Sequence, residues 1–137
     1  MFKNKVLLIT GGTGSFGKKY TKILLEKFKP NIIIMIDAAL KLEGEDTGDV
    51  AQGFGAAIGG VGTDRFKIEA IATKHDIPIF AIVVRQSVKD AITLMKKEIS
   101  DQTEKVRNQV YEMITDNSNP NETVLVIGVG NTLGVAQ

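Results

Sequence analysis

Residues 5 to 17, Lys5-Val-Leu-Leu-Ile-Thr-Gly-Gly-Thr-Gly-Ser-Phe-Gly17, constrain the fold more than any other stretch. An apolar, β-branched run stops at Thr10, Gly11, Gly14 and Gly17 follow at three-residue spacing, and an amphipathic segment begins at once. The pattern predicts a strand, a glycine turn and a helix starting at about Ser15. A backbone turning this sharply needs positive φ, and a phosphate reaches main-chain amides only where no Cβ intervenes. The helix start adds unpaired N–H groups and the positive end of its dipole. An anion site is therefore expected, with a dinucleotide pyrophosphate as its ligand and Gly11, Thr13, Gly14, Ser15, Phe16 and Gly17 around it. No reaction follows from these residues.

Beyond the turn, Phe16, Tyr20, Ile23, Leu24 and Phe28 recur at helical spacing while Lys18, Lys19, Lys22 and Glu26 point elsewhere. Pro30-Asn31 ends this helix, and Ile32-Ile-Ile-Met-Ile36 reads as a strand covered on both faces. Asp37 then falls twenty residues after Gly17, at the expected carboxyl end of the second strand, where an acid accepts hydrogen bonds from a ribose diol. An acid there favours NAD and repels the extra phosphate of NADP; the bland alternative is an aspartate opening a loop.

An acidic, glycine-broken stretch follows. Glu43, Glu45, Asp46 and Asp49 form either a solvated loop or a hold for magnesium, with no calcium-loop spacing. A helix is expected over 49–58 despite Gly53 and Gly55, each costing roughly 0.5–1 kcal/mol against alanine and calling for close approach to another element. A further helix is expected from Thr63 to Lys74, with Phe66, Ile68, Ile71 and Ala72 inward and His75 at its end. Residues 77–84 make the third strand, with Pro78 at its start. Ser87 and Asp90 read as a capping box with aspartate in place of glutamate, opening a helical period through Val88, Ala91, Ile92, Met95, Ile99, Val106, Val110 and Met113. A period of nearly thirty residues exceeds what a small sheet can use, so a break is expected near Ser100-Asp101. Residues 123–127 form the fourth strand and lead into Gly128-Val-Gly-Asn-Thr-Leu-Gly134.

Together these elements predict a single three-layer Rossmann-like α/β domain over residues 1–137, with four parallel strands in the order 3-2-1-4. That order sets the two glycine segments across one crevice, adding Gly128, Gly130, Asn131 and Thr132 to its second wall. A frayed C-terminus is the competing account of the last segment. With a net charge of +1 and 24% charged residues, nothing draws the chain toward nucleic acid. No apolar run reaches membrane-span length and the start lacks a secretory pattern, so a cytoplasmic location is expected. There is no cysteine and one histidine, which excludes thiolate chemistry and multi-histidine metal sites. Open sheet edges leave homodimerisation available.

Residues 1–31, which contain the Thr10-Gly-Gly-Thr-Gly-Ser-Phe-Gly17 turn, resemble the start of bacterial nucleotide-sugar 4,6-dehydratases, extended short-chain dehydrogenases that bind NADP or NAD at this turn. The resemblance ends beyond Pro30. Tyr20 is followed four residues later by Leu24 and Tyr111 by Thr115, so the family's Tyr-x-x-x-Lys pair is missing and its chemistry is not implied. From about Ile34 onward, including Gly55-Ala-Ala-Ile-Gly-Gly60 and Gly128-Val-Gly-Asn-Thr-Leu-Gly134, the chain is similar to the C-terminal part of an archaeal family of unknown function. Two unrelated resemblances meeting inside one βαβ unit imply recombination, as in an engineered chimera. Three functions are therefore expected in competition: noncatalytic nucleotide binding, a recombined scaffold without a ligand, and a magnesium-dependent enzyme on a phosphorylated substrate.

Overall fold

The computed structural model describes residues 7–9, 15–55 and 63–129. Its elements in chain order are β1 (Leu7–Ile9), α1 (Ser15–Phe28), β2 (Ile32–Leu40), β3 (Val50–Phe54), α2 (Thr63–Lys74), β4 (Ile79–Gln86), α3 (Val88–Ala91), α4 (Lys97–Ser100), α5 (Thr103–Asn117) and β5 (Val124–Val129). The five strands form one mixed sheet in the order β1-β5-β2-β4-β3. The β1–β5, β5–β2 and β2–β4 pairs are parallel, and β3 runs antiparallel to β4.

The arrangement is α/β, as expected, but the order 3-2-1-4 is not the one adopted. The strand expected fourth, β5, is inserted between β1 and β2. β2 and β5 are apolar on both faces, which requires neighbours on both edges as well as helices above and below. β2 obtains them from β5 and β4 along its length, in registers such as Ile34↔Val126 and Ile34↔Phe80. β1, with three residues, takes the edge. The apolar patterns of the longer strands are too alike for a sequence to rank them from centre to edge.

Two packed layers cover the sheet. On one face Leu24 and Leu25 of α1 and Ile68 and Ala72 of α2 close over Ile33, Met35, Leu125 and Ile127. On the other, Val106, Val110, Met113 and Ile114 of α5 meet Ile32, Ile34, Ile82, Val124 and Val126. The alternation of Ile32 to Met35 between these clusters is the period-two signature of a strand buried on both faces. In α1 the inward stripe is Thr21, Leu24 and Leu25, whereas Ile23 and Phe28 are each more than one-third exposed. Of the four residues expected inward on α2, Ile68 and Ala72 are buried, Ile71 is partly buried against the same cluster, and the side chain of Phe66 lies outside the described residues.

Two further expectations are corrected. The helix over 49–58 is instead strand β3 where it is described, to Gly55. Gly53 and Gly55 disfavour a helix, and the main chain finds partners along β4: the Gly55 amide donates to the Ile79 carbonyl at 2.8 Å and the Arg85 amide to the Asp49 carbonyl at 2.7 Å. Gly55 has φ +83°, and a Cβ built there would lie 3.1 Å from the side-chain Oε1 of Glu69 of α2, so the neighbour it meets is a side chain and not the backbone of another element. The long helical period after Ser87 is interrupted twice, at residues 92–96 and 101–102. Val88, Ile92 and Met95 are more than half exposed, and Met113 is the methionine of that series that enters the core.

Candidate functional site

The four parallel strands β1, β5, β2 and β4 point their carboxyl ends the same way, to one end of the sheet. β1 ends at Ile9 and α1 begins at Ser15, so the strand, turn and helix succession holds on both sides of the glycine turn. Ser15, Phe16 and Gly17 form the first turn of α1. Gly11, Thr13, Gly14, Gly130, Asn131 and Thr132 lie outside the described residues. Gly128, expected to open a loop, sits inside β5, opposite Ile36. The expected neighbours β1 and β5 do lie side by side, with Ile9 opposite Ile127.

Asp37 is within β2, three residues before its end, and is paired in register with Val129 of β5 and Val83 of β4. Its Oδ1 accepts the Ala38 amide at 2.7 Å, a local bond that fixes the carboxylate against its own backbone. Because β5 stands between β1 and β2, Asp37 is two strand spacings, ~9.6 Å, from the line of β1. The order 3-2-1-4 would place it one spacing away. The carboxyl end of β5 thus stands between the line of β1 and Asp37.

This end of the sheet carries a cluster of polar contacts that sequence reasoning reaches only in part. The path out of β2 leads to β3 and α2 on one face, and the path out of β4 leads to α5 on the other, so the connections diverge between β2 and β4. Such divergence commonly opens a ligand crevice. Here the chain bridges it. The Ser87 capping box is present, with the Ser87 hydroxyl accepting the Asp90 amide and the Asp90 carboxylate accepting the Ser87 amide. Asp90 Oδ2 also accepts the Thr47 hydroxyl at 2.9 Å, and Lys96 Nζ lies 2.8 Å from Oδ1. Residues six apart face different ways on a continuous helix. The Asp90–Lys96 pair is therefore incompatible with unbroken helix here, which accounts for the interruption at 92–96.

The acidic loop is tied into the same cluster. Glu45 Oε2 accepts the Leu42 amide at 2.7 Å and lies 3.3 Å from Arg85 Nε, while Asp49 Oδ2 accepts the Asp46 amide at 2.7 Å. Gly48, at φ +96°, brings the loop against Glu98 of α4. These carboxylates hold the loop's own shape, and among the described residues no group of three or more acids or histidines is placed to hold a metal ion. Thr47 and Lys96 carry no motif; the Ser87-x-x-Asp90 spacing is the one signal in the sequence that points to the cluster.

The Lys96 ammonium, together with the Ser87 amide and hydroxyl and the Thr47 hydroxyl, holds the Asp90 carboxyl well below the usual range, against a smaller opposing effect of burial. The same pair raises Lys96. A carboxyl that titrates lower when folded contributes stability above its ordinary value, about pH 4, and loses that contribution as pH falls below it. Asp90→Asn should therefore be less stable than wild type at neutral pH, and the gap should narrow below about pH 4. Urea unfolding followed at several pH values checks this; a gap unchanged down to about pH 2 would contradict the assigned contacts.

The family described as "Domain of unknown function (DUF1512) C-terminal" matches residues 6–136. The chain belongs to that family. Within this DUF1512 C-terminal chain, 35 residues are 71% identical to the UDP-N-acetylglucosamine 4,6-dehydratase (inverting) of Campylobacter jejuni subsp. jejuni serotype O:2. The same identity holds for the enzyme of serotype O:23/36. The match covers 26% of the DUF1512 C-terminal chain and 10% of the enzyme, so the chain corresponds to about a tenth of its curated relatives' length. No solved structure gives a significant match. Among the described residues no helix is long and apolar enough to cross a membrane.

Proposed function

We propose that this chain is a nucleotide-binding α/β domain that performs no catalysis on its own, with a dinucleotide phosphate held at the glycine turn and the start of α1. The observation that carries the reading is the 35-residue segment 71% identical to a nucleotide-sugar dehydratase. The segment supports the phosphate half of such a ligand: β1 ends at Ile9, the sequence carries Gly11, Gly14 and Gly17, residues whose lack of a Cβ suits approach of a phosphate to main-chain amides, and a fourteen-residue helix begins at Ser15. The chain fits the ribose half less closely, since Asp37 must be reached across the end of β5 and already accepts the Ala38 amide. NAD is preferred over NADP if the ribose does contact Asp37, because the carboxylate repels a 2′-phosphate.

Titration calorimetry of the chain with NAD and NADP, and with AMP as a control, tests the reading. NAD should bind with defined stoichiometry, and Gly14→Val should weaken it on the order of 10-fold or more, because the added side chain occupies the approach to the amides. Identical responses of wild type and Gly14→Val to NAD would sink the site. Asp37→Ala separates the two halves of the claim. Weaker NAD binding with a reduced preference over NADP assigns Asp37 to the ribose, and unchanged binding leaves only the turn.

A second reading has its own observation. One family matches nearly the whole chain while a 35-residue segment is 71% identical to an enzyme of another description. That combination is what a recombined scaffold would give, with the dehydratase-like βα unit completing a fold whose remaining edge contributes no ligand contacts. No heat and no thermal shift with millimolar nucleotide would favour it.

A further inference from the structure

We propose that the outer edge of β3 pairs with the same edge of a second copy of this chain, joining two sheets into one across a two-fold axis at Gln52. The first observation is where the backbone of β3 points. In an antiparallel ladder, residues that exchange hydrogen bonds with the neighbouring strand alternate with residues whose N–H and C=O face away. Asp49 opposite Arg85 and Gly55 opposite Ile79 are bonded toward β4, so the register places Ala51 and Gly53 in the same class. Val50, Gln52 and Phe54 then direct their amides and carbonyls outward, on the side where β3 is the last strand among the described residues.

The second observation is that this edge is complementary to itself. Antiparallel pairing centred on Gln52 sets Val50 opposite the second copy's Phe54, Phe54 opposite its Val50, and Gln52 opposite its own equivalent. Each outward amide then meets an outward carbonyl. Phe54 is 73% exposed, held edge-on to Phe80 at 5.4 Å, and it is an apolar ring left at the rim of the sheet. Val50 packs toward the α5 cluster. The pairing would therefore cover an exposed phenyl group with an aliphatic one on the same face, an apolar cross-strand contact of the stabilising kind.

Edge strands that stay unpaired are usually blocked by a lysine, a proline or an inward charge. Val50-Ala-Gln-Gly-Phe54 has none of these. The nearest charge along the chain, Asp49, turns its carboxylate back to the Asp46 amide, and the Glu69 carboxylate lies beside Gly55, beyond the end of the strand. With no charge on the strand there is nothing to select a differently charged peptide, and the symmetric register selects a second copy. Such an interface closes on itself and gives a dimer, with no open filament. It is independent of the glycine turn and of any ligand there.

Sedimentation equilibrium of the intact chain tests the proposal. Wild type should show a monomer–dimer equilibrium. Gln52→Lys should weaken association on the order of 10-fold or more, because two ammonium groups then face each other across the axis. An equimolar mixture of Gln52→Lys and Gln52→Glu should restore association through the mixed pair, and circular dichroism should show each variant folded. Gln52→Pro gives an independent check, since it removes an outward amide and leaves the ladder to β4 intact. A wild type that stays monomeric, a dimer indifferent to Gln52→Lys and Gln52→Pro, or a mixture no more associated than Gln52→Lys alone would each overturn it.

Discussion

Leu25→Ala should lower the free energy of unfolding by about 2–5 kcal/mol. Leu25 has no solvent exposure and lies in the cluster where α1 and α2 close over β2 and β5. Removing its isobutyl group forfeits the transfer energy of the buried methyl groups and leaves a cavity between a helix and a sheet. The sheet side of that cavity is fixed by hydrogen bonds on both edges of β2 and β5, so collapse from below is limited. Ile23→Ala is the control. Ile23 is 37% exposed on the same helix, and alanine recovers helix propensity there, so a change on the order of 1 kcal/mol or less is expected. Urea unfolding with a shared slope compares the two. Equal losses would mean that the buried face of α1 is misassigned.

Gly48→Ala should be the most damaging single change in the loop between β2 and β3. Two independent penalties coincide. At φ +96° a side chain is strained by an amount of order 1–3 kcal/mol. A Cβ built there also falls 2.5 Å from the Glu98 carbonyl oxygen and 3.0 Å from its carbon, so relief requires main-chain movement of α4. Gly44 separates the two effects. It has φ +86°, and a methyl group added there would meet nothing within 4 Å, so Gly44→Ala carries the conformational penalty alone. Thermal unfolding of both variants should show a clearly greater loss for Gly48→Ala. Hydrogen exchange should show the extra loss as faster exchange in the loop and in α3, because the Thr47–Asp90 bond is one residue away. If Gly44→Ala and Gly48→Ala cost the same, the loop does not press on α4.

The Asp90 cluster and the Gly48 contact bear on function through position. They bridge the divergence between β2 and β4, where an open crevice would otherwise be expected. The edge beside β1 and β5 is left as the place for the proposed nucleotide. Disturbing the cluster should therefore reduce stability before it alters nucleotide affinity, whereas Gly14→Val should do the reverse.

The sequence by itself determined the local elements whose periodicity is unambiguous. The run Ile32 to Ile36 could hardly be anything but a strand covered on both faces. The Leu24 spacing made α1, Pro30 ended it, and the Ser87-Asp90 box marked a helix start that is present. The strand before the glycines and the helix after them follow from patterns that a few residues settle among themselves. Strand order was decided by tertiary structure alone, because β2, β4 and β5 are similar apolar runs and their ranking depends on which edges find partners. Residues 50–54 depart from the expected helix for a related reason: a short, weakly apolar stretch with glycines becomes a strand only when the edge of β4 supplies the hydrogen bonds. The same holds for the break at 92–96. It goes with a lysine that folds back to a buried aspartate, and a periodicity along the chain carries no trace of a contact made across space.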